Sequence, residues 1–131
     1  MKLAEAEKLT GVDVLDYLDR QAEVPLVTTA GCQGDVSALR VTTKAATTPI
    51  PAEGIVVATG NGGHDHTIHG PAMFDRTPAR EGSLVIGTLT VPDGSEAVIS
   101  HVEHGMLRFA PGTYQIGSQR EFAGEWQAVA D

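Results

Sequence analysis

Apolar residues in the first 22 positions recur every three: Leu3, Ala6, Leu9, Val12, Leu15 and Leu18, with Val14 and Tyr17 widening the stripe. That period predicts a helical region over residues 2–22. Thr10 followed by Asp13 resembles a capping box with a shortened carboxylate. Gly11 therefore divides a frayed opening turn from a firmer helix over residues 12–22, which Pro25 stops. Such a helix packs over an opening or edge of a sheet, or serves as an oligomerisation or docking arm.

From Pro25 onward the period falls to two. Leu26 to Thr29 reads as a short strand, ended by the turn Ala30-Gly31-Cys32-Gln33-Gly34. Asp35 to Thr43 alternates again, and Lys44 to Glu53, with Pro49 and Pro51, reads as an extended connector. Ile55 to Ala58 suits a buried strand and leads into a glycine-rich, histidine-rich stretch. Asp75 to Gly82 reads as a polar loop. Ser83 to Val91 is the longest strand signal, and Pro92-Asp93-Gly94 is a turn, so 83–91 and 95–103 are expected to form an antiparallel hairpin. Met106–Phe109 and Thr113–Ser118, joined by Ala110-Pro111-Gly112, are expected to form another. One helix followed by seven to nine evenly spaced strands predicts a mainly β single domain, a small barrel or jelly-roll-like sandwich. Residues 1–24 form the helical segment, 25–122 the β domain and 123–131 a tail without a clear period, which Trp126 could pin.

Composition narrows the function classes. A chain of 131 residues can bury a core without staples. Aromatics are only 5%, so Val, Ile, Leu and Ala must fill that core, with Phe74, Tyr114, Phe122 and Trp126 as large anchors. Nine basic residues against 17 acidic give a net charge of −8. That balance repels phosphate backbones and anionic membranes, so neither nucleic acid nor membrane is an expected partner. No apolar run approaches a membrane span, and the charged start lacks a signal-peptide core. The lone Cys32 permits no intramolecular disulfide. A cytoplasmic protein is expected, or a virion protein if phage-encoded.

The chemistry-bearing residues are the five histidines. His64, His66 and His69 lie between Gly60 and Gly70, while His101 and His104 share a later window. On a strand, residues two apart share a face with alpha-carbons about 6.5 Å apart. His64 and His66 can then converge on one ion, with Asp65 pointing away and His69 on the opposite face. From the second window, His101 is expected to act with Glu103, or with His104 through a bulge or the turn at Gly105. A nitrogen and carboxylate set without thiolate suits Zn, Fe, Mn, Ni or Cu. The expected metal ligands are His64, His66, His101 and His104, with Glu103 as an alternate ligand or supporting partner. Such a site should weaken below about pH 6, where protons compete for imidazole lone pairs. The competing view is surface histidines, or a hydrogen-bonded pair at a strand end.

Other signals are thinner. Cys32 has no activating neighbour and reads as inert. Gly60-x-Gly-Gly lacks the Lys and following helix of a phosphate loop. Gln119, Arg120 and Glu121 form a polar strand end that either lines a pocket or is solvated.

The motifs Gln33-Gly34-Asp35-Val36, Gly63-His64-Asp65-His66, His101-Val102-Glu103-His104, Pro111-Gly112-Thr113-Tyr114 and Gln119-Arg120-Glu121 resemble those of a family of small bacterial and phage proteins without an established activity. The resemblance spans about residues 33–122 and implies the histidine set without a reaction. More loosely, a glycine-led His-x-His, a later histidine and Pro-Gly turns resemble the cupin pattern. The match departs from cupins in lacking a Glu spaced after His66 and in carrying His-x-x-His where one His is usual.

Two functions follow as expectations. The first is a small acidic β protein binding a transition metal through two histidine pairs, whether or not the ion is catalytic. The second is a non-catalytic β-rich assembly, virion or complex subunit, acting as a homo-oligomer or in a protein complex.

Overall fold

A computed structural model describes residues 1–60 and 63–118 in full, and the backbone of 120–122 and 126–128. Two five-stranded sheets pack face to face as a sandwich that does not close into a barrel. The first holds β1 (Leu26–Val27), β4 (Ile55–Thr59), β5 (Asp65–His69), β8 (Ala97–His101) and β9 (Gly105–Phe109), in the order β1-β9-β8-β5-β4. The second holds β2 (Ala30–Gln33), β3 (Val36–Arg40), β6 (Met73–Arg76), β7 (Val85–Val91) and β10 (Gly112–Ser118), in the order β2-β3-β10-β7-β6. Backbone segments β11 (Arg120–Phe122) and β12 (Trp126–Ala128) pair with each other. The mainly β architecture with one N-terminal helix is thus present, as a sandwich.

The core lies between the sheets. Val27, Val57, Ile68, Ile99 and Phe109 face Val36, Ala38, Phe74, Leu89, Tyr114 and Ile116, all buried. Alternation does this: residues two apart along each strand share the inward face. Phe109 and Tyr114 meet edge-on with ring centres 5.2 Å apart. The Tyr114 hydroxyl donates to the Ala110 and Val27 carbonyls at 2.6 and 3.3 Å, so the ring's one polar atom is satisfied inside.

Both expected hairpins are corrected. β7 pairs with β6 and β10 in one sheet, whereas β8 pairs with β5 and β9 in the other. Pro92-Asp93-Gly94 therefore carries the chain from one sheet to the other, as does Ala110-Pro111 between β9 and β10. Turn residues mark where the chain reverses but carry no information about which sheet the next strand joins. The turn expected at 30–34 is also partly a strand. Ala30 to Gln33 pair antiparallel with Leu39 to Val36 of β3, leaving Gly34 and Asp35 to turn.

The helix is shorter than its pattern. Only Leu3–Thr10 is helical (α1), and Gly11 ends it at φ 72, a conformation that suits glycine. The firmer helix expected over residues 12–22 is absent. There the Arg20 guanidinium takes the carbonyls of Val14, Leu15 and Leu18 and pairs with Glu7 at 3.2 Å, so backbone acceptors are satisfied without a helical ladder. The capping residue is Glu5, which accepts from the Lys2 N–H at 3.1 Å, and not the Thr10–Asp13 pair. Leu3, Ala6, Val14 and Val24 pack on Val98 and Met106. Part of the apolar stripe thus covers the outer face of the first sheet, with Val12 and Leu18 packed against it although they are not helical, while Leu9 and Leu15 stay exposed.

Gly87 in β7 has no room for a side chain: an added Cβ would stand 2.5 Å from Phe74 Cζ and 2.6 Å from the Asp75 carbonyl. Gly87→Ala should lower unfolding free energy by about 1–3 kcal/mol, through overpacking; urea denaturation showing no change would contradict this packing. Asp75 anchors the connector by accepting from the Thr47 and Thr48 N–H groups at 3.1 and 3.0 Å. Hydrogen bonds from Thr48, side chain first, hold its carboxyl below the usual range. A depressed folded pKa stabilises above the unfolded value of about 3.9 and is lost as pH falls through the folded value. The melting temperatures of wild type and Asp75→Asn should therefore differ most at neutral pH and converge in acid. A gap that widens in acid would refute the assignment.

Candidate functional site

Three turns meet at one end of the sandwich. They are the β2–β3 turn at Gly34 and Asp35, the approach to β5 at His64, and the β8–β9 turn at residues 102–104. β5 runs antiparallel to β8, so the start of one lies beside the end of the other, and the two histidine windows adjoin. The rings of His66 and His101 lie 4.4 Å apart, those of His101 and His104 4.6 Å, those of His64 and His101 5.9 Å, and those of His66 and His104 6.4 Å. All four expected residues are thus brought together. His66 and His101 are fully buried, while His104 is exposed and His64 half-buried.

Hydrogen bonds fix the imidazole faces. Gln33 donates both amide N–H groups, to the carbonyls of Ile99 at 3.1 Å and Gly105 at 2.9 Å. Its oxygen must then face His66 Nδ1, at 2.9 Å. Nδ1 is accordingly the protonated nitrogen, and a neutral His66 ring carries its lone pair on Nε2. Nε2 lies 3.7 Å from Asp35 Oδ1. His101 is oriented the other way. Its Nδ1 accepts the backbone N–H groups of Glu103 and His104 at 3.1 and 3.2 Å, which places the proton of a neutral ring on Nε2. His64 Nδ1 pairs with Glu103 Oε1 at 2.6 Å.

Local backbone explains how His64 arrives. Gly63 adopts φ 78, its N–H bonds the Gly60 carbonyl at 3.0 Å, and Gly60 N–H bonds His64 O at 2.9 Å. Gly60 and Gly63 thus bring the chain into β5; Asn61 and Gly62 lie outside the described residues. The N-terminal segment braces the other side. Leu15 N–H bonds Val102 O at 2.8 Å and the Tyr17 hydroxyl bonds Glu103 O at 2.7 Å.

His69 stands apart, on the opposite face of β5, where Nε2 meets Ser100 Oγ at 3.1 Å. Burial pushes its pKa down, so it is a neutral partner within the packed outer layer. Cys32 is exposed. Gln119 and the side chains of Arg120 and Glu121 lie outside the described residues. Gln33 and Asp35 are the site residues that histidine spacing alone does not single out; a buried Gln on the inward face of a strand is their signal. Among the described residues, no group of three or more His, Cys, Asp or Glu side chains already stands in metal-holding geometry.

Gln33→Leu keeps the volume but strips two carbonyls of their donors and His66 of its acceptor. It should cost about 2–3 kcal/mol in denaturant unfolding, the penalty of stranded buried polar groups. The His66 ring nitrogen resonances should also shift as the tautomer is released. A variant as stable as wild type with unchanged resonances would refute this role.

Comparison with known proteins adds a family and no activity. No curated protein and no solved structure matches the chain. Residues 32–119 match a domain of unknown function, DUF8820, a span that holds Gln33, Asp35 and every histidine but omits α1. The chain belongs to the DUF8820 domain family.

Proposed function

We propose that this end of the sandwich binds a divalent transition-metal ion, with His66 as the anchor. The observation that supports it is the pairing of a pinned imidazole with a carboxylate: the Nε2 lone pair of His66 and Asp35 Oδ1 stand 3.7 Å apart. Nitrogen and oxygen donors on one tetrahedral ion, with bonds near 2.0–2.2 Å, stand about 3.3 Å apart. A shift of a few tenths of an ångström suffices. Gln33 supplies the outer hydrogen bond that orients a metal-binding imidazole. His64 and His104 complete the set by rotation, Glu103 serving as an alternate carboxylate. His101 joins through Nε2 only by surrendering the two backbone bonds to Nδ1, so it enters last. Donors of this kind fit Zn, Fe, Mn, Ni or Cu.

The test is reconstitution of stripped, untagged protein with zinc and with cobalt, followed by elemental analysis and visible spectroscopy. About one equivalent per chain is expected, with a four-coordinate cobalt spectrum that His66→Ala abolishes and Asp35→Asn weakens. Less than about 0.2 equivalents of every metal would overturn the reading.

A second reading, assembly through the N-terminal arm, draws on Leu9 and Tyr17, which are 64% and 70% exposed and precede the family-matched residues. Large apolar groups kept in solvent suit a protein contact. Sedimentation should then show a concentration-dependent oligomer that Leu9→Ser with Tyr17→Ser dissolves; a strict monomer counts against it.

A further inference from the structure

We propose that the cleft under the β6–β7 loop binds a small oxyanion, the carboxylate or phosphate group of a compact organic molecule, beside the imidazole end of the sandwich. The cleft has a volume of about 470 Å³ and is lined by Val57, Arg76, Thr77, Arg80, Ser83 and Ile86 among others. No Asp or Glu lines it, although acidic residues outnumber basic ones 17 to 9 in this chain. Two guanidinium groups and two hydroxyls on an apolar wall match an anion with a hydrocarbon body.

Arg76 and Arg80 differ from Arg20 and Arg108, and share with Arg40 the lack of a carboxylate partner among the described residues. Arg20 pairs with Glu7 and Arg108 with Glu96. Among the described residues, neither Arg76 nor Arg80 has a carboxylate partner. Arg76 is held in place by the Val56 carbonyl and lies over the Phe74 ring, 5.7 Å from its centre. One edge of its fork is therefore fixed at little further entropic cost, while no carboxylate among the described residues pairs with its charge. Arg80 is exposed in the loop and able to close over a bound anion.

Topology puts this cleft at the histidine end. β10 sets Gly117 opposite Val85 and Ser118 opposite Val36, so the β6–β7 loop and the Gly34–Asp35 turn leave the second sheet at the same end. Val57 adjoins Ala58, which stands opposite His66 in β4–β5 pairing. The inference needs no metal and stands apart from the metal reading.

The experiment is amide NMR titration of the full chain, at low ionic strength and with a chelator present, using inorganic phosphate in one arm and hexanoate in the other. Saturable shifts at Thr77, Arg80 and Ser83 are expected with at least one probe below about 50 mM. Stronger response to phosphate or to hexanoate identifies which oxyanion the cleft takes. Arg80→Gln should weaken binding about fivefold or more, while Arg80→Lys retains part of it. Arg80 is exposed, so its variants keep the wild-type spectrum elsewhere. No saturable shift with either probe, or equal affinity in Arg80→Gln, would overturn the proposal.

Discussion

One carboxamide ties the two sheets together where the chemistry sits. Gln33 belongs to the second sheet, yet its amide spans to the Ile99 and Gly105 carbonyls of the first and to the His66 ring. A buried amide is costly unless each of its groups is paired, and here the pairing uses both donors and the acceptor. That requirement sets the spacing of β2 from β8 and β9, the tautomer of His66, and the direction of its remaining lone pair. The geometry of the end of the sandwich follows from satisfying one side chain. Gly105 contributes in turn, adopting φ 80 so that the β8–β9 turn can present its carbonyl to Gln33 and its N–H groups to His101.

The outer layer supports this end from behind. Val98 and Met106 lie under α1 and the segment after it, and that segment holds the β8–β9 turn through Leu15 and Tyr17. Burial of the outer face also explains why β8 is buried along its whole length: one set of side chains enters the core and the other lies beneath the arm. A strand covered on both sides loses the alternation of a half-exposed strand, as Ala97, Val98 and Ile99 show.

The pattern of strands was legible in the chain because it rests on local rules, whereas the meeting of the histidine windows depends on β5 pairing with β8. Period two set the strands, while His64, which precedes β5, is placed by the turn at Gly63. What the chain did not show is non-local. Pro92-Asp93-Gly94 marks a reversal, but whether β8 pairs beside β7 or crosses to the other sheet depends on which apolar faces remain uncovered. The three-residue period up to Leu18 was only partly real as burial, since Leu9 and Leu15 stay exposed, and it was misleading as helix beyond Gly11, because Arg20 offered the backbone a different set of donors. Gln33 and Asp35 escaped the spacing argument for a similar reason: the Gln33 amide finds its acceptor on a strand 66 residues away.

Charge completes the picture of this end. An acidic chain with a net charge of −8 would be expected to turn away anions and to gather cations wherever carboxylates converge. Asp35 and Glu103 beside the imidazoles follow that expectation, whereas Arg76 and Arg80, with no carboxylate partner among the described residues, run against it. Their place beside the imidazole end gives that end two adjacent fields of opposite sign, one suited to a metal cation and one to an anion. A molecule with an anionic group at one terminus and a donor atom at the other is the shape that would engage both fields at once.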